Sequence, residues 1–187
     1  SGSMRNGDPP KGEVATRVDG VVVGAGEGGL VGSHYDAERR DHDSIRAVVN
    51  NDGVARARDL ICTTHGFDDL ADVAGRVAAR MDHPIDTPPE LGPHSDHWPY
   101  VTRGVPGYYV RADTGDIGRG WGHTHADTLD KLDPRDLREQ AILLTELVVE
   151  LAAEDTTVAR RSPDAIAEQL EAESLAEGMR VVGDWPY

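Results

Sequence analysis

The sequence predicts an α/β fold, a three-layer α/β/α sandwich around a mixed sheet, and three observations carry that expectation. Short β-branched apolar runs alternate with amphipathic helical stretches. The run Val21-Val22-Val23 is unbroken, as suits a strand covered on both faces. The 187 residues are enough for one domain with a sizeable core, and no internal repeat or low-complexity tract divides them.

Each element follows from local signals. Ser1-Gly2-Ser3 ahead of Met4 reads as an appended tag, and the polar residues 5–16, with Gly and paired Pro, read as a mobile leader. The domain is therefore placed at 17–187, with a first strand from Val18 to Gly24. A short helix or turn after Gly29 and a charged loop from Asp36 to Asp43 precede strands at 45–49 and 59–64. Phe67, Leu70, Ala74, Val77 and Met81 recur at three- and four-residue steps, which predicts a helix over 67–82. Val105 to Val110 is strand-like. Asp133 followed by Pro134 marks a helix start, with Leu137, Ala141, Leu144, Val148 and Leu151 as its buried stripe. Ser162-Pro163-Asp164 repeats the signal for one last helix stopping near Gly178.

Composition excludes some functions. Nineteen Lys and Arg against 34 Asp and Glu give a formal charge of −15, and Lys occurs only at positions 11 and 131. Nucleic acid is an unfavourable partner for such a surface, because phosphate contacts need clustered cations. Acidic residues with Arg in place of Lys suggest a salt-adapted organism, net charge being a determinant of solubility rather than of fold. Cys62 is the single cysteine, so no intrachain disulfide or cysteine zinc cluster can form, and its apolar neighbours predict burial. No apolar run reaches membrane-spanning length and no signal peptide is visible, so a cytoplasmic location away from membranes is expected.

Two histidine-bearing segments carry the chemistry. Trp121-Gly122-His123-Thr124-His125-Ala126-Asp127-Thr128 places imidazoles and a carboxylate in a loop before a capped helix, and His94-Ser95-Asp96-His97-Trp98-Pro99-Tyr100 lies upstream. Gly24-Ala25-Gly26-Glu27-Gly28-Gly29 follows a strand and formally fits the G-x-G-x-x-G layout, with Asp52 at a later strand end. Dinucleotide binding through Gly24–Gly29 is one reading of that segment. Glu27 opposes it by setting negative charge beside a phosphate, and so does the charged run from Tyr35 to Arg40.

Taken in order, these segments resemble the zinc exopeptidase family of aminopeptidase Y, bacterial leucyl aminopeptidases and, more distantly, glutaminyl cyclases. In that family a strand ends in Gly-Ala-Glu-Glu and continues as Gly-Leu-Val-Gly-Ser; the text here is Gly24-Ala25-Gly26-Glu27-Gly28-Gly29-Leu30-Val31-Gly32-Ser33. The resemblance spans roughly residues 20–153. It implies a zinc-aminopeptidase-like sandwich with a truncated sheet and release of N-terminal residues from peptides or similar small molecules. It also implies Glu27, Asp52 and His123 as metal ligands converging at one sheet edge. Asp96, His97 and Trp98 would pack beside the site or wall its pocket, Asp127 and Thr128 would orient the His123 loop, and His125 could offer a further imidazole.

The departures from the family are as informative. No His-x-Asp strand end and no Asp-Asn turn precede Val21, and the family's general-base Glu corresponds to Gly26. The expectation is one zinc or none per chain, with weak or absent turnover, since a positioned base is worth about 10²- to 10⁴-fold. A binding or assembly module on the same fold is the alternative. A sheet missing its first strands would leave an open edge, so a homo-oligomer is expected as well.

Overall fold

The structure, a computed structural model, describes residues 16–18, 21–24, 30–118 and 120–187. Six strands form one sheet in the order β1-β2-β3-β6-β4-β5, where β1 is Thr16–Val18, β2 Val21–Gly24, β3 Ala47–Asn51, β4 Leu60–Thr63, β5 Ile85–Asp86 and β6 Gly107–Ala112. Strands β2, β3 and β6 run parallel, β4 is antiparallel to β6 and parallel to β5, and β1 is antiparallel to β2. The sheet is therefore mixed, as the sequence predicts. β1 begins at Thr16, the last residue of the segment read as a leader; the rest of that segment lies outside the described residues.

Period-two alternation divides the core between two faces. On one face Ala47, Val49, Leu60, Cys62, Tyr108 and Val110 meet α2 (Asp68–Met81) and α4 (Pro134–Ala152) through Leu70, Val73, Val77, Leu143, Leu147 and Leu151. On the other, Val48 packs with Ile45, Val105, Ala37 of α1 (Val31–Ala37) and Tyr100 of α3 (Trp98–Val101). Gly107 admits α3, since a Cβ there would stand only 3.0 Å from Val101 Cγ2. The helices α5 (Pro163–Ala172) and α6 (Ala176–Val182) complete the chain. Burial pushes the Cys62 thiol up to about 12, which fits a small apolar core residue with no reactive role.

The capped starts of α4 and α5 are as the sequence predicts. Asp133 accepts from the Arg135 amide at 2.7 Å, and Ser162 accepts from the Ala165 amide at 3.2 Å. The buried stripe of α4 is not. Leu137 is exposed, and the inward line runs Gln140, Leu143, Leu147, Leu151. The physical reason is Gln140, whose Oε1 accepts from the Ala55 amide at 2.5 Å while its Nε2 donates to the carbonyls of Ala57 (2.6 Å) and Arg58 (3.1 Å). A buried amide that satisfies three backbone groups turns the helix toward it. Gln140→Ala is expected to lower stability by about 2–4 kcal/mol, because each stranded buried polar group costs roughly 1–3 kcal/mol; a chemical denaturation midpoint measures it.

The single final helix also needs correction. The chain breaks after Ala172, with Ser174 at φ +60°, and resumes as α6, which ends at Gly183 with φ +84°. Leu170 and Met179 are both buried, so the break lets two short helices each turn an apolar face inward. No helix among the described residues is long and apolar enough to cross a membrane.

Candidate active site

Parallel pairing sets the location of the site. Gly24 pairs with Asn50 and Asn51 pairs with Val110, so β2, β3 and β6 end at one edge of the sheet. Chain that leaves the carboxyl ends of parallel strands lines a crevice there. Asp52 leaves β3 at that edge, and the loop after β6 carries His123. Asp52, His123, Asp127 and His94 line one cleft of about 550 Å³, together with Arg56, Tyr109 and Arg111. Asp52 and His123, distant in sequence, thus face the same space.

A hydrogen-bonded relay holds Asp52 from below. The Ser95 hydroxyl donates to Asp52 Oδ2 at 2.8 Å. Asn50 Nδ2 donates one hydrogen to Ser95 Oγ at 2.7 Å and the other toward His97 Nδ1 at 3.2 Å. His97 Nε2 lies 2.8 Å from the Gly92 carbonyl, which can only accept, so Nε2 carries the proton and Nδ1 accepts. Every donor in this chain of contacts has a partner, and a satisfied buried network fixes its members in one geometry.

The imidazole at the end of the relay is the middle of a stack. His97 lies parallel to His65, with ring centroids 4.6 Å apart, and to Tyr109 at 5.1 Å. Burial pushes His97 down to about 4, against the opposing pull of the Gly92 carbonyl. Burial, and then the neighbouring His97, hold His65 well below the usual imidazole range. His65 Nδ1 accepts from the Gly92 amide at 3.2 Å, while its Nε2 is buried without a hydrogen bond of normal geometry. Burial thus favours the neutral form of both rings, which stack beneath the relay.

The remaining expected residues are dispersed. Trp98 is buried in the core and walls a second hollow with Met179 and Trp185. Asp96 is half-buried and does not line the cleft. His125 is exposed and lies outside it. Thr128 donates its hydroxyl hydrogen to Asp130 Oδ1 at 2.5 Å, within its own turn. His123 sits at φ +64°, a left-handed conformation that the surrounding turns hold. Gly24 of the segment read as a dinucleotide motif is the last residue of β2, while Gly26, Glu27, Gly28 and Gly29 lie outside the described residues. The observed strand order, with β6 inserted antiparallel to β4, is not the doubly wound order that dinucleotide binding uses.

Sequence reasoning passed over Asn50, Ser95 and His65. Ser95 stood inside a quoted motif, but nothing in its spacing reveals that it reaches Asp52, and His65 follows β4 with no flanking signal. Among the described residues no group of three His, Cys, Asp or Glu side chains could hold a metal ion. Asp52 and His123 alone therefore do not complete a zinc site.

Residues 8–148 match Peptidase family M28. The fold is similar to that of the LapA aminopeptidase of Legionella pneumophila, with a TM-score of 0.56 and 24% identity over 67% of this chain and 36% of that one. It is also similar to BSAP, a zinc aminopeptidase from Bacillus subtilis, with a TM-score of 0.54 and 18% identity over 70% of this chain and 35% of that one. The chain thus spans about a third of the length of these structures. A search of curated proteins returned no match. With three quarters of its residues inside the family match, the chain belongs to peptidase family M28.

Proposed function

We propose that this chain is a zinc aminopeptidase-like hydrolase domain acting on peptides or amino-acid-like small molecules, with weak or no turnover by itself. The observation that carries the reading is the shared cleft, in which Asp52, held by Ser95, and His123 face each other's space at the carboxyl edge of the sheet. Glu27 is proposed as the third ligand. It follows β2 by three residues, and β2 ends beside Asn50, two residues before Asp52. Asp127 shares the cleft with His123 and is proposed to orient that loop. Position 26 is glycine, so with Glu27 taken as a ligand this segment offers no second carboxylate to take a proton from an attacking water. The binding-module reading draws on that same glycine and on the lack of a described three-ligand group.

Metal analysis of protein purified without chelator, paired with turnover of leucine p-nitroanilide, tests the proposal. One zinc or fewer per chain is expected, with the content reduced in Asp52→Ala and His123→Ala. Two tightly held ions would show the metal set to be complete. Zinc content indifferent to both substitutions would remove Asp52 and His123 from the site.

A further inference from the structure

Arginine is scarce relative to acid in this chain, and most of the described arginines are engaged. Arg40 pairs with Asp36 at 2.5 Å, Arg58 with Glu139 at 2.8 Å and Arg76 with Glu150 at 2.7 Å. Arg46 donates to the Leu151 and Ala153 carbonyls, Arg160 to those of His42 and Ile45, and Arg161 to those of His65 and Ala165. Among the described residues, the half-buried Arg56 and Arg111 have no such partner, and both line the cleft that holds Asp52 and His123.

Their placement follows from the fold. Arg111 is on β6 two residues after Tyr109, so alternation turns it to the face that carries Asn50 and the imidazole stack. Its Cβ packs 3.9 Å from the position a Cβ would take on Gly53, which sets the root of the side chain beside Asp52. Arg56 approaches from the loop after β3, its Nη2 only 2.8 Å from where a Cβ on Gly120 would stand. Glycine at 120 therefore leaves room for the guanidinium. Asp52, Asp113 and Asp127 line the same cleft, yet none forms an ion pair with either arginine.

A half-buried guanidinium without an internal acceptor presents a planar fork of donors suited to a carboxylate. Three carboxylates and two guanidiniums leave the described lining net negative, which repels a polyanion such as a phosphate ester more strongly than a single carboxylate held on the fork. A volume of about 550 Å³ lies within the range of small-molecule sites and suits a group of one or two amino-acid residues. Resting on the hydrolase reading above, we propose that Arg56 and Arg111 select a ligand bearing a free carboxylate: an acidic first side chain, or the C-terminus of a short peptide.

The test compares acids with their neutral isosteres by calorimetry on the full chain with zinc present. L-Glutamate against L-glutamine reads the side-chain source, and Leu-Gly against Leu-Gly-amide reads the C-terminal source. One acid is expected to bind about ten- to a hundredfold more tightly than its amide, as a charge-assisted hydrogen bond provides. Arg111→Gln or Arg56→Gln should erase that preference, while Arg111→Lys should retain part of it. Acid and amide alike in both pairs, absence of binding included, overturns the proposal on the unsubstituted chain, whatever the variants do. Zinc content is read separately, so carboxylate binding by a chain whose zinc content ignores Asp52→Ala and His123→Ala would unseat the metal-site reading and leave this one standing.

Discussion

Between pH 7 and about pH 4 the folded state should lose on the order of 3 kcal/mol through His97 alone, with a further loss from His65. An unfolded imidazole takes its proton near 6.5, whereas burial pushes His97 down to about 4. Between those values the unfolded chain binds more protons than the folded one, so stability falls as pH falls. Above about 6.5 both states are neutral and the contribution is level, and a gap of about 2.5 pH units corresponds to roughly 3 kcal/mol. Urea midpoints across this interval measure the effect. His97→Gln keeps a polar group near Gly92 but cannot titrate, so its stability should fall less steeply than that of the unsubstituted chain. Parallel profiles for the two would show that the imidazole reaches water in the folded state.

Gly104→Ala is expected to cost at least about 3 kcal/mol, combining left-handed strain with overpacking against a fixed backbone. Gly104 has φ +79°, and a Cβ there would lie 2.2 Å from the Arg161 carbonyl oxygen. That oxygen cannot retreat easily. The Arg161 side chain is tied to the His65 and Ala165 carbonyls and to Gln169 Oε1, and Ser162 next to it caps α5. Gly75→Ala is the matched control. It lies on the exposed side of α2 with nothing within 4 Å of a new Cβ, so it should stabilise by about 0.5–1 kcal/mol. Melting temperatures of the two variants should move in opposite directions, and a Gly104→Ala chain that melts with the unsubstituted one would contradict the close approach.

What the sequence makes legible is what depends on neighbours along the chain. The α2 stripe of Leu70, Ala74 and Val77 and the Asp133-Pro134 start of α4 are local, and both appear as expected. Cys62 is likewise buried among the apolar residues that surround it in sequence. What stays hidden depends on distant partners. The inward turn of Gln140 is fixed by carbonyls some eighty residues away in the loop after β3. The two-residue β5 exists only because β4 offers it an edge. Asp52 and His123 could be named from motif order, but the Asn50 and Ser95 relay could not, because strand alternation and a loop 45 residues away bring those groups together. Arg56 and Arg111 carry no local mark either, since an arginine looks the same in sequence whether or not an acid meets it in space.

The central position of β6 sets the order in which the sheet can be assembled. β3 and β4 are near each other in sequence yet do not pair; each waits for β6, which must close loops of about 45 to 60 residues to reach them, and such closure slows folding. Until β6 arrives, β3 and β4 each expose a hydrogen-bonding edge flanked by apolar side chains. The half-built sheet is therefore the species most prone to self-association during synthesis or refolding. Recovery of folded protein should be limited by capture of this one strand, so a change that weakens β6 would reduce yield well before it lowers the melting temperature of the finished fold.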